Sequence, residues 1–126
     1  MITGGWEEKT TTEVYFPSTN KGCSVSNFDL PVSIAIHTHT MNSFENEVLL
    51  CGGGDAQNYC LEFSPSSPEV WTRYANLTEA RYEHTSWVSS AGLVLIGGYA
   101  PYSAKAETTA ELVNGDILPF TLPPTR

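Results

Sequence analysis

Three apolar runs along the chain end in paired glycines: Met1-Ile2-Thr3-Gly4-Gly5, Val48-Leu49-Leu50-Cys51-Gly52-Gly53 and Leu93-Val94-Leu95-Ile96-Gly97-Gly98. Each pair is followed by a polar loop (WEEKTT, GDAQN and YAPYSAKAE). A strand-like run comes next: Glu13-Val14-Tyr15-Phe16, Tyr59-Cys60-Leu61-Glu62-Phe63 and Thr109-Ala110-Glu111-Leu112-Val113. Turn-forming residues close these runs at Pro17-Ser18-Thr19-Asn20, Ser64-Pro65-Ser66-Ser67-Pro68 and Asn114-Gly115-Asp116. A further strand follows each turn, over Cys23 to Val25, Val70-Trp71-Thr72 and Ile117 to Leu122. No helical periodicity outlasts two turns, and proline and glycine recur too often to allow one. The pattern predicts an all-β chain of short strands.

The glycine pairs recur at Gly4, Gly52 and Gly97, steps of 48 and 45 residues. A second signal shares that phase. Leu30-Pro31 leads to His37-Thr38 and Leu77-Thr78 leads to His84-Thr85, seven residues apart each time and offset by 47. Two independent features with one period define a structural repeat, and about four strands in each 45 to 50 residues is the spacing of propeller blades.

The middle repeat carries Gly52-Gly53, Tyr59, Phe63, Trp71, Leu77, Arg81 and His84 in that order. This set resembles the Kelch motif. The first copy is degenerate, with Cys23 near the place of the tryptophan and Ile34 in place of the arginine. The third has Phe120 near the tryptophan's place. WD-type repeats share the blade architecture, but the chain holds no Trp-Asp or Gly-His pair. The resemblance covers essentially the whole chain and implies Kelch-type β-propeller blades, antiparallel four-stranded sheets over approximately 1–30, 31–77 and 78–126. The first blade then lacks its opening strand, and about eleven strands result. Three blades cannot close a ring that usually needs about four to eight. Two resolutions stand: an excerpt of a longer protein, or half of a six-bladed ring made by two copies.

The repeat positions carry structural expectations. Gly4, Gly5, Gly52, Gly53, Gly97 and Gly98 should supply positive φ or a close backbone approach near a crowded channel. A phosphate-cradling loop would need a following helix or a Gly-Lys-Ser/Thr run; no helix is expected, and the Lys9-Thr10 pair follows Glu8 rather than a glycine. From its place in the motif, Trp71 should fill the space between neighbouring blades, and Arg81 should satisfy backbone carbonyls or a carboxylate there. His37 and His84 hold the same repeat position, which makes them structural. His39 shares a strand face with His37, but a zinc site would need a third ligand that no cluster supplies.

Apolar residues make up 40% of the 126 and charged ones 16%, enough to fold around a core. Six basic residues against fourteen acidic ones, a net charge of −8, argue against nucleic acid and against an anionic membrane surface. No apolar stretch approaches the length of a membrane span. Cys51 closes one strand and Cys60 lies in the next, so a cross-strand disulfide and two buried free thiols both remain open, with Cys23 left over. Asn76-Leu77-Thr78 is a lone glycosylation sequon. With the two cysteines it leans towards an extracellular setting without fixing one.

Three functions follow as expectations. In the first, the chain is an interaction scaffold holding a protein partner on rim loops, those after the glycine pairs and those leading into the His-Thr segments. The first group offers Trp6, Glu7, Glu8, Lys9, Asp55, Gln57, Asn58, Tyr99, Tyr102 and Lys105. Trp6 and Tyr99, directly after glycines, have the alternative of packing against neighbouring blades. In the second, the role is structural, two copies self-assembling into a closed homodimeric ring. In the third, the chain belongs to a propeller enzyme resembling galactose oxidase, with copper held by Tyr and His, or to a glycan-binding propeller. No activated nucleophile and no spaced carboxylate pair supports catalysis, so neither an enzyme nor a cofactor is expected.

Overall fold

The computed structural model describes residues 2–3, 10–24, 28–34, 38–42, 47–54, 58–64, 70–103, 105–113 and 117–121. Among them lie eleven strands in three antiparallel sheets. The first sheet has three strands in the order β1 (Ile2–Thr3), β2 (Thr12–Phe16), β3 (Lys21–Ser24). The middle sheet has four, β4 (Thr38–Asn42), β5 (Glu47–Cys51), β6 (Tyr59–Phe63) and β7 (Trp71–Asn76), side by side in chain order. The third repeats that order with β8 (Thr85–Ser89), β9 (Gly92–Ile96), β10 (Thr109–Leu112) and β11 (Ile117–Thr121).

The strand runs expected after the polar loops fall on β2, β6 and β10 with ends moved by one residue at most. Of the strands after the turns, β11 begins at Ile117 as expected, while β3 and β7 begin and end elsewhere. Pairing with β2 draws β3 back to Lys21, and pairing with β6 carries β7 on to Asn76 while Val70 stays outside. Local chemistry closes the turns. Thr19 N–H donates to Phe16 O at 3.1 Å around Pro17, and Asn20 takes a φ of 51°, a left-handed value asparagine tolerates.

Two cores form, one on each face of the middle sheet. Alternation along β5 sends Leu49 and Cys51 to one face and Val48 and Leu50 to the other. Leu49 and Cys51 join Cys60, Ala75, Leu77, Leu93, Leu95 and Val113 between the two four-stranded sheets. Leu50 joins Leu61, Phe63 and Trp71 of its own sheet with Leu30 and Ile34 from the segment that leads in from the first sheet. Trp71 donates Nε1–H to Phe28 O at 2.8 Å, and its ring lies 5.4 Å from that of Phe63. Its apolar body is buried and its polar tip satisfied.

Trp71 and Ala75 are four residues apart on one strand, which alternation alone would place on one face. They lie in different cores. The register shifts where Cys60 opposes Ala75 but Leu61 opposes Arg73, so Tyr74 is an extra residue. This bulge turns the end of β7 over, and a single strand feeds both cores.

One docking contact occurs twice. Leu30 N–H donates to Thr10 O at 2.7 Å, and Leu77 N–H donates to Asn58 O at 2.7 Å. Thr10 and Asn58 each stand six residues after the first glycine of a pair. Register repeats as well: Thr3↔Thr12, Cys51↔Cys60 and Ile96↔Ala110 each pair the residue just before a glycine pair with the following strand. Between sheets, the strands that run closest together are the first of each, β4 and β8.

Candidate functional site

Antiparallel pairing gathers the loops of interest at one end. Thr38 pairs with Cys51, Cys51 with Cys60 and Tyr59 with Asn76; in the third sheet Thr85 pairs with Ile96 and Ile96 with Ala110. The loops after the glycine pairs therefore emerge beside the segments that lead into β4 and β8.

The glycines at this end are held by backbone. Gly52, Gly53, Gly97 and Gly98 take φ values of 63°, 144°, 66° and 91°. A Cβ on Gly52 would stand 2.2 Å from Arg81 O, and one on Gly98 would stand 2.5 Å from Tyr82 O. Gly53 N–H donates to Arg81 O at 3.1 Å. The segment leading into the third sheet thus presses on both glycine pairs, and only residues without a side chain fit. His84 is buried in the same place. Its Cε1 lies 3.0 Å from the Gly52 Cβ position and its own Cβ 3.0 Å from that of Gly98. It precedes β8 rather than lying in it.

Arg81 ties that segment to the third sheet by its side chain. Fully buried, it donates Nη1–H to Gly97 O at 3.0 Å and to Thr109 O at 3.2 Å. Nη2 donates to Glu79 Oε2 at 3.2 Å, Thr109 Oγ1 at 3.2 Å and Glu111 Oε2 at 3.3 Å. Glu111 is itself 1% exposed and accepts the backbone N–H groups of Thr78 and Glu79. Backbone on one sheet and guanidinium on the next make Arg81 the link between them. Sealed from water, this pair has the character of a structural buried ion pair.

The accessible part of this end is aromatic and polar. Tyr82 and Tyr99 exchange backbone hydrogen bonds at 3.1 and 2.9 Å, and their rings stack at 5.8 Å. Tyr99 therefore packs within its own sheet's loops while keeping 36% of its surface exposed. The loop beyond is pinned at its base, with Ala100 N–H donating to Lys105 O at 2.9 Å and Glu107 N–H to Gly98 O at 2.8 Å. Its tip carries Tyr102, 93% exposed with a φ of 69°. Lys105 and Asn58 are exposed on the loops after Gly98 and Gly53. Asn76 is exposed, and its Oδ1 accepts Arg73 Nη2–H at 2.6 Å.

Gly4, Gly5, Trp6, Glu7, Glu8, Lys9, His37, Asp55 and Gln57 lie outside the described residues. Cys51 and Cys60 form a disulfide across β5 and β6, with Cα atoms 4.1 Å apart, and Cys23 is an exposed free thiol. Gly52 N–H donates to Tyr59 O, so Cys51 and Cys60 occupy the neighbouring non-hydrogen-bonded pair, where opposed side chains approach most closely. Among the described residues no three His, Cys, Asp or Glu side chains gather as a metal ion would need.

Sequence reasoning missed Glu111, Tyr82 and Trp87, the last being 62% exposed on β8. A signal for Glu111 exists: an arginine read as structural needs a carboxylate, and Glu111 interrupts the apolar pair Ala110 and Leu112. No protein-family model and no curated protein matches the chain.

Proposed function

We propose that the chain is part of a Kelch-type β-propeller whose sheets are blades, and that the glycine-pair end holds a protein partner. What supports the blade reading is the recurrence of one docking contact, Leu30 on Thr10 and Leu77 on Asn58, together with the convergence of first strands β4 and β8. The observation that carries the binding reading is Tyr102. A tyrosine in the left-handed region is an uncommon conformation. Here a loop closed by two backbone hydrogen bonds holds it out in solvent. Exposed tyrosines on a rigid base are effective anchors at interfaces, because little side-chain entropy is lost on binding. A net charge of −8 favours a basic or neutral partner. The Cys51–Cys60 disulfide suits an oxidising compartment.

Photo-crosslinking from two positions tests the assignment. A photoreactive residue in place of Tyr102 should capture one discrete protein from the native source. The same probe in place of Ala91, in the β8–β9 turn at the opposite end, should not. Equal capture from both positions would contradict the placement.

A further inference from the structure

Asn76-Leu77-Thr78 is the one Asn-x-Ser/Thr triplet in the chain, and it begins at the last residue of β7. This strand closes the middle sheet, pairing with β6 on one side and with no strand on the other among the described residues. Past the bulge, Ala75 turns into the core shared with the third sheet, which leaves Asn76 on the other face, opposite Tyr59. Asn76 and Thr78 are both exposed, and Leu77 between them is buried. The triplet therefore lies on the surface with its two recognition residues outward and its variable residue inward. An open hollow lined by Arg73, Tyr74, Ala75 and Asn76 adjoins it.

Arg73 fixes the direction of the Asn76 amide. Its Nε and Nη2 donate to Asn76 Oδ1 at 3.2 and 2.6 Å, and its guanidinium lies 4.4 Å from the centre of the Tyr59 ring. A guanidinium carries donors only, so the amide atom that faces it is the oxygen. Nδ2 is thereby turned away from Arg73, and among the described residues it has no acceptor. A substituent on Nδ2 leaves Oδ1 free to accept, so the Arg73 contact survives it. The rest of the triplet is equally indifferent to such a substituent. Leu77 is held by its apolar side chain and by its N–H on Asn58 O, and Thr78 gives its backbone N–H to Glu111.

We infer that Asn76 carries an N-linked oligosaccharide. The donor is of the lipid pyrophosphate-linked oligosaccharide class, used by a membrane transferase of the secretory lumen. Nδ2 forms a bond to the anomeric carbon of the first sugar and gives up one proton. The bond from that carbon to the pyrophosphate oxygen breaks, and the lipid pyrophosphate leaves with the electron pair. The Cys51–Cys60 disulfide is an independent mark of the same compartment, one strand away, with Cys60 opposite Ala75. Leu77 is buried and both backbone N–H groups after Asn76 are committed, so the transferase meets the triplet before the fold closes. The folded protein then has only to leave room for the product. There the glycan covers the free side of β7, an edge that otherwise offers unpaired backbone to another strand. The glycan is independent of the blade reading and of the rim's partner.

Peptide mass spectrometry of the protein from its native source tests this. Trypsin cuts after Arg73 and Arg81 and releases residues 74–81, in which Asn76 is the one asparagine. Peptide N-glycosidase in heavy-oxygen water converts a glycosylated asparagine to a labelled aspartate. The expected result is labelled aspartate at position 76 in most chains; an unmodified Asn76 in most chains overturns the inference, whether the disulfide is formed or not. The full chain secreted from eukaryotic cells behind an added leader gives the second arm. There the native chain and Thr78→Ser should carry the glycan, while Asn76→Gln and Thr78→Ala should each lose it. Thr78→Ser guards against misfolding as the cause of that loss. A native chain secreted bare with its disulfide formed, or a glycan that persists in Thr78→Ala, overturns the inference. Failure of crosslinking from position 102 leaves all of these outcomes in place, so the two proposals fail separately.

Discussion

Arg81 and Glu111 meet at 3.3 Å with both side chains out of water, while the residues at the same places in the middle sheet, Ile34 and Leu61, meet in an apolar core. The exchange extends to a third position. Thr78 gives its backbone N–H to Glu111, and its counterpart is Pro31, which has no N–H to give. One repeat therefore pairs both terminal guanidinium nitrogens of Arg81 and both carboxylate oxygens of Glu111, leaving only Nε of that pair without a partner, and the other puts apolar side chains in their places. Both are stable solutions, because what costs free energy is a buried polar group left alone.

Arg81→Ala should destabilise the fold by about 3–5 kcal/mol, since Glu111 is left charged and buried without its cation. The triple variant Thr78→Pro, Arg81→Ile, Glu111→Leu transplants the middle sheet's solution and should recover most of that loss. Urea unfolding of the single and triple variants makes the comparison.

The glycines divide by their surroundings. Gly52→Ala and Gly98→Ala each bring a Cβ into a backbone carbonyl at a positive φ, and each should cost more than about 2 kcal/mol. At Gly22 the nearest atom to an added Cβ is Val14 O at 3.9 Å, an ordinary contact. Gly22→Ala should leave the melting temperature within a few degrees, measured side by side with the other two.

Sequence separation sets the weight of the disulfide. Cys51 and Cys60 are nine residues apart, and closing so short a loop stabilises the fold by ~2–3 kcal/mol. Thiol titration of the denatured, unreduced protein should find one reactive group, Cys23, and three after reduction. Thermal melts with and without reductant should differ in the direction of lost stability on reduction.

The strand runs and turns were legible in the sequence because their causes are local. Pro17 and Asn20 carry their own turn chemistry, and the runs before Gly52 and Gly97 are short continuous apolar stretches bounded by glycine, the mark of a strand buried on both faces. The bulge at Tyr74 was not legible, since it exists only in the register between β6 and β7. Glu111 read as an ordinary strand residue because the arginine that explains its burial lies 30 residues earlier. Trp87 escaped for a third reason. A strand face that will be covered and one that stays open have the same local pattern, and only packing distinguishes them. Of the loop residues expected at the rim, Asn58, Tyr99, Tyr102 and Lys105 fall on the glycine-pair end, while Trp6 to Lys9, Asp55 and Gln57 lie outside the described residues.

The most direct measurement is the affinity of the partner captured from position 102, compared between the native chain and Tyr102→Ala by titration calorimetry. Tyr102 is almost wholly in solvent, so its loss should leave the melting temperature unchanged while weakening binding by about 30-fold, the size of an anchoring residue. An unchanged affinity would contradict the assignment of the glycine-pair end as the binding surface, and so would a weaker affinity that came with an equally large loss of stability.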